Sequence, residues 1–275
     1  MIFTKKMKKL FFALSKISFH PKLAAVLDLF IGLVFVVVLP ILGTWWLFFI
    51  WLTARIIIWG GFVKMVFFPR PAKRFWHWLS LVVFLCGTTL LMLFVEWPVA
   101  KHIITSVFVI APATSFWFLP IKDALFSFVF KPYRRWQFML TVFGLVGIIS
   151  GLFAVYAFQL FNILSCWPYV VIGAAMSTAI ACWWWLEYGL TKDKRLYSWL
   201  LVWLIINIEL LRVLFLWPLG YLLLGILFIW LWYIFWLIIR FHLSKDGIVW
   251  SKQRWFLITN GLAILVYLIF LARWQ

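Results

Sequence analysis

About nine stretches of roughly 20 mainly apolar residues follow one another along the chain, separated by short turns that contain charges, glycines or prolines. An α-helix of about 20 residues crosses the hydrocarbon core of a bilayer. Because a backbone in hydrocarbon must satisfy its own hydrogen bonds, these stretches are expected to be helices. The pattern therefore predicts an all-α, polytopic integral membrane helix bundle with about nine transmembrane helices.

The composition excludes a protein that is mainly water-soluble. Apolar residues make up 67% of the chain and charged residues 12%, whereas a soluble domain is about half apolar and a quarter charged. The net charge of +18 comes from short clusters between the apolar stretches, which indicates contact with anionic lipid headgroups rather than nucleic acid. The turns are too short to contain an ATPase or a separate catalytic domain.

The apolar stretches define the predicted spans and two regions of the chain. Residues 1–22, with six lysines among apolar residues at helical spacing, are predicted to form a basic amphipathic helix on the membrane surface. Residues 23–275 are predicted to form a single transmembrane bundle. Its spans are 23–41, 45–63, 75–95, a fourth that begins near residue 103 and breaks at Pro112 and Pro120, 136–158, 169–190, 196–216, 219–239 and 255–271.

The distribution of Lys and Arg predicts the orientation. Of the 25 cations, 21 fall on one side of the predicted membrane, two fall on the other side, and Arg55 and Arg212 fall within spans. Cations concentrate in cytoplasmic loops. The N-terminus is therefore predicted to lie in the cytoplasm and the C-terminus outside, in a plasma (inner) membrane.

The chain contains 22 tryptophans, most of them near the ends of predicted spans. An indole has an apolar body and one N–H donor, so it favours the boundary between headgroups and hydrocarbon. We interpret the tryptophans as interfacial belts, with Trp183, Trp184 and Trp185 at the inner boundary; stacking on a bound ring is the alternative.

Asp28 and Arg55 lie within the first two spans, 15 and 12 residues from the turn at Gly43. At 1.5 Å per residue they are about 22 and 18 Å from that turn, so they are nearly level in the membrane. An antiparallel hairpin can join them as an ion pair. Such a pair either locks the hairpin or takes part in the passage of a solute or an ion.

Two further polar groups fall in or near spans. Glu209 and Arg212 are three residues apart and share a helix face, which predicts either a pair within the helix or an anion or proton site reached from outside. Lys122 and Asp123 follow the prolines of the fourth span. A broken helix beside polar groups is typical of a transporter binding site, and the same residues also fit the end of a short span.

Small residues recur at intervals of three or four in the fifth and sixth spans. Such spacing lets two backbones approach closely, so we predict that these two helices pack face to face. The residues concerned are Gly144, Gly147 and Gly151 in the fifth span and Gly173, Ser177 and Ala181 in the sixth.

Cys166, Arg212 and His102 are all predicted at the outer face. A thiolate beside cations is a candidate acyl-transfer nucleophile. The set resembles the exosortase family of membrane transpeptidases over residues 160–245, which implies a Cys-dependent enzyme with these three catalytic residues. The sequence departs from that family because Trp167 and Pro168 follow the cysteine and His242 falls on the cytoplasmic side.

No His, Cys or carboxylate spacing predicts a metal site, and no motif predicts a cofactor. Three functions stay open. The first is translocation of an ion or small solute, with Asp28, Arg55, Glu209 and Arg212 lining or locking the path. The second is a non-catalytic subunit or scaffold with a membrane-protein partner or a second copy of the chain. The third is the outer-face transpeptidase.

Overall fold

The computed structural model describes residues 20–42, 45–66, 71–119, 127–162, 165–190, 193–244, 247–248 and 250–270. These residues form helices and turns, with no strand among them. The helices are α1 (Pro21–Leu42), α2 (Trp45–Val66), α3 (Pro71–Phe94), α4 (Pro98–Trp117), α5 (Ser127–Ala157), α6 (Trp167–Glu187), α7 (Lys194–Phe215), α8 (Tyr221–Leu243) and α9 (Trp250–Phe270). Each predicted span therefore corresponds to a helix, and the all-α class is confirmed.

Eight of these helices, α2 to α9, are long and apolar enough to cross a membrane. They fit a multi-pass membrane protein. The helix α1 is not among the eight, so its crossing stays a prediction, as does the orientation. The predicted amphipathic helix lies outside the described residues apart from its last three positions, and Lys122 and Asp123 lie outside them too.

Pro112 does not break the fourth helix. The helix α4 runs from Pro98 to Trp117 with Pro112 buried inside it. A proline removes one backbone donor without ending a helix when neighbouring helices and polar side chains support the freed backbone. The predicted break at Pro112 is therefore wrong, whereas Pro120 lies outside the described residues.

The chain forms two compact units. The first contains the described residues up to Thr88 and Val95–Gly144, and the second contains Thr89–Phe94 and the described residues from Leu145 onward. In the first unit α1 packs most extensively against α4, and in the second α6 packs most extensively against α7.

Glycines set the closest helix contact of the first unit. A Cβ on Gly87 of α3 would overlap the backbone of Gly144 of α5, and a Cβ on Gly144 would lie 2.5 Å from the carbonyl oxygen of Val83. In the second unit Gly151 faces Leu90 of α3 at 2.9 Å. Gly144 and Gly151 therefore pack against α3 and not against α6. At Gly144 the reason is that α3 presents a glycine of its own, Gly87, where the backbones meet.

Gly173 and Gly147 lie in the second unit. A Cβ on Gly173 of α6 would lie 2.9 Å from Leu211 of α7 and 3.3 Å from both Ile149 and Leu152 of α5. Gly147 is buried. Contact between α5 and α6 thus uses Gly173 against larger side chains of α5 rather than two matched rows of small residues.

Tryptophans form much of the core of the second unit. Trp232 and Trp236, one turn apart on α8, donate to the carbonyls of Ser177 and Ala181, one turn apart on α6, at 3.3 and 3.4 Å. Trp185 of α6 donates in return to the carbonyl of Trp236 at 3.3 Å. These bonds fix the register of the two helices.

The belt interpretation is wrong for Trp183, Trp184 and Trp185, since all three are buried in protein. A residue facing headgroups must be exposed on the protein surface, as Trp97 and Trp250 are. For Trp185 the inward placement costs little, because its indole N–H donates to the carbonyl of Trp236.

Candidate functional site

The two charges predicted to pair in the membrane meet in the first unit. Arg55 Nη2 of α2 lies 3.3 and 3.4 Å from the two carboxylate oxygens of Asp28 of α1, and both side chains are 0% exposed. Trp59, one turn after Arg55, also donates from Nε1 to Asp28 Oδ1. The carboxylate is therefore held by an ion pair and by a second, uncharged donor.

Aromatic rings from two helices, α2 and α4, surround the guanidinium. Its carbon lies 5.1 Å from the ring centroid of Trp51, 4.9 Å from that of Trp59 and 4.9 Å from that of Phe108 on α4. Phe35 of α1 packs against Trp51 with centroids 3.8 Å apart. Ring faces attract a cation, and the attraction is stronger where water is excluded. The arrangement is an aromatic cage around a buried cation.

The cage leaves part of the cation without hydrogen bonds. Arg55 Nε and Nη1 are buried and have no acceptor among the described residues. A guanidinium has five N–H donors, and Asp28 engages only the Nη2 end. The cluster can therefore bind a further hydrogen-bond acceptor at these two nitrogens.

A second buried polar cluster, missed in the sequence, lies in the same unit. His77 Nδ1 of α3 contacts the hydroxyl of Tyr133 and lies 2.5 Å from Nε2 of Gln137, and Gln137 Nε2 lies 2.7 Å from the same hydroxyl. His77 is 1% exposed, and its ring packs on Tyr133 and on Phe116 of α4.

One signal in the sequence marks this second cluster. Tyr133 and Gln137 are four residues apart, so they share one face of α5. The two clusters both contact α4, at Phe108 and at Phe116. Eight residues of helix separate these two phenylalanines, which is about 12 Å along the axis.

Comparison with protein-family models, curated proteins and solved structures found no match for this chain.

Glu209 and Arg212 do not form the predicted pair in the described part of α7. Both side chains are exposed. The guanidinium of Arg212 lies 5.1 Å from the ring centroid of Trp167, at the start of α6. Three residues along a helix permit an ion pair without requiring one, and here the aromatic ring is the partner.

The three residues of the transpeptidase hypothesis divide between the units. Cys166, half-buried, precedes Trp167, so it lies at the same end of the second unit as Arg212. His102 belongs to the first unit, where its Nδ1 lies 2.6 Å from the carbonyl oxygen of Pro98. His242 contacts Arg195 at 3.1 Å. Within the described residues no three His, Cys, Asp or Glu side chains are grouped to bind a metal ion.

Proposed function

We propose that this protein translocates an ion or a small solute across the membrane, with Asp28 and Arg55 on the path. The observation that carries the proposal is an oppositely charged pair, each member 0% exposed, in a chain of membrane-spanning helices. Ionisable groups inside a membrane are costly and commonly mark ion or substrate pathways. Apolar residues of similar volume often replace a buried ion pair without loss of stability, so stability alone gives little reason to keep one.

The cluster of His77, Tyr133 and Gln137 supports the same assignment. It adds a second group of buried polar side chains to the first unit, displaced along α4 from the charged pair. Polar groups at more than one depth are what a solute needs when it leaves water. Under this proposal the protein lies in the plasma (inner) membrane with its N-terminus in the cytoplasm, as the 21 cations on one side indicate.

The test separates a pathway from a structural lock. The protein is reconstituted into liposomes, and efflux of potassium, sodium, chloride and nitrate is measured for the wild type and for the double variant Asp28→Leu, Arg55→Met. The double variant replaces both charged side chains by apolar ones of similar volume, so it is expected to fold. Its flux is expected to be lower than that of the wild type by at least about tenfold. Arg254→Met, at an exposed arginine on α9, is the matched control.

Flux that is equal in the wild type and the double variant, both well folded, would show that the pair is not on a path. Protein-free liposomes set the background leak. Absence of flux above that background for all four ions would refute translocation of these ions.

The second candidate, a non-catalytic subunit of a membrane complex, is favoured by one observation. Tyr267 is the one buried side chain among those described on α9. Only 6% of the segment Gln253–Phe270, which is apolar enough to cross a membrane, is buried. Tyr267 and Asn260 attach α9 to α8, through the carbonyl of Leu223 at 3.1 Å and Nε1 of Trp230 at 2.9 Å. Native mass spectrometry from nanodiscs, showing a defined heteromeric assembly in place of a monomer, would support it.

A further inference from the structure

The nitrogens of Arg55 that lack an acceptor indicate what kind of solute this site binds. Nε and Nη1 are buried without an acceptor in the described part of the chain, while Nη2 faces Asp28. Donors left unmatched in a low-dielectric site are unfavourable, and the aromatic rings around them compensate the charge better than the N–H groups. The site is therefore complementary to a hydrogen-bond acceptor.

Charge distinguishes an anion from a cation or a neutral donor. The oxygens of Asp28 already accept from Arg55 and from Trp59. A cation entering the cage would be repelled by the positive charge of the guanidinium. An anion would meet N–H donors on a permanently charged group, which form stronger hydrogen bonds than neutral donors do. We propose that Arg55 binds a small inorganic anion, and that this anion is the solute of the translocation proposed above, on which this inference rests.

The surroundings of the guanidinium limit the size of the anion. A Cβ on Gly32 of α1 would lie 3.4 Å from Arg55 Nη2 and 3.1 Å from Cγ1 of Val109 on α4. The rings of Trp51 and Phe108 lie on other sides at about 5 Å from the guanidinium carbon. These close contacts leave little room around the guanidinium, so the proposed ligand is limited to a small anion such as chloride or nitrate.

The second donor to Asp28 explains how the anion is accommodated. When an anion draws Arg55 away, Asp28 keeps the hydrogen bond from Trp59 and is not left without a partner. The ion pair is neutral, so a bound monovalent anion gives the site a net charge of −1. We therefore expect weak binding, which suits a solute that must also leave.

Binding is tested on the full-length protein in detergent, independently of flux. The thermal unfolding temperature is measured at constant ionic strength while sodium gluconate is replaced by sodium nitrate. Since a ligand that binds only the folded state stabilises it, the wild type is expected to unfold at a temperature that rises with nitrate and then saturates. The double variant Asp28→Leu, Arg55→Met is expected to lose the rise, and Arg254→Met to keep it.

Arg55→Lys is the second variant, because it keeps the charge and replaces the planar guanidinium by a single ammonium. It is expected to need at least about tenfold more nitrate for half of the rise. The inference is overturned if nitrate and gluconate act alike on the wild type, or if the double variant responds to nitrate as the wild type does.

The liposome assay separates the inference from the function. Potassium flux that is lost in the double variant, together with no flux of chloride or nitrate, supports translocation and refutes an anionic solute. Arg55-dependent stabilisation by nitrate without any flux supports the anion site and refutes translocation. Nitrate flux that exceeds potassium flux and is lost in the double variant supports both.

Discussion

The contact between Gly87 and Gly144 makes Gly87→Ala a sharp test of the packing in the first unit. A Cβ added to Gly87 overlaps the carbonyl group of Gly144, which is backbone and cannot rotate away as a side chain would. The two helices must therefore separate, and side chains along their contact lose van der Waals partners. Overpacking typically costs 1–3 kcal/mol, and a backbone obstacle belongs at the upper end, so we expect a loss of about 3 kcal/mol in unfolding free energy.

The control for this prediction is Gly61→Ala on α2. No atom lies within 4 Å of a Cβ placed there, and alanine is more stable than glycine inside a helix by about 0.5–1 kcal/mol. Both variants are measured by titration with sodium dodecyl sulfate in mixed micelles, with helix content and tryptophan fluorescence as signals. Equal unfolding free energies for Gly87→Ala and the wild type would contradict the backbone contact, as would an equal loss in the Gly61→Ala control.

The same titration tests three further predictions. Asp28→Asn leaves the buried Arg55 without its counter-charge and should cost about 3–5 kcal/mol, most of it recovered when Arg55→Met is added; no recovery would contradict the pairing. Trp232→Phe removes an indole hydrogen bond to α6 and should cost about 1 kcal/mol or more, against no measurable loss for the exposed Trp250→Phe. Gly189→Ala forces alanine to a φ of +90° after α6 and should cost about 1–2 kcal/mol, although open space surrounds it; unchanged stability would refute the strained turn.

Depth along the membrane was predictable from the sequence, because it depends only on counting residues from a turn. That count placed Asp28 and Arg55 level with one another, and the structure brings them within 3.4 Å. The helices themselves followed from runs of apolar residues, whose length the bilayer sets. The errors at their ends amount to several residues, as for α5, which begins at Ser127 rather than at residue 136.

Direction around the helix axis was much harder to predict. In a helix of a soluble protein, the polar face points to water and so shows which face is buried. A helix that is apolar on all sides gives no such indication. Gly144 was therefore assigned to α6 when its partner is α3. For the same reason the sequence did not indicate that His77 is covered by Tyr133 and Gln137 of α5. The same ambiguity hid the inward direction of Trp184.

The two units use polar groups in different ways, and the difference bears on function. Among the described residues, every Asp, Glu, Lys, Arg or His that is buried belongs to the first unit: Asp28, Arg55 and His77. The second unit joins its helices with indole N–H groups donated to backbone carbonyls, as Trp232 and Trp236 do. An indole hydrogen bond holds two helices together without placing a charge in hydrocarbon, so this chain has an inexpensive means of attaching helices. Since it nevertheless buries an oppositely charged pair in the first unit, attachment alone is a poor explanation for that pair, and this is why we propose that an ion moves past it.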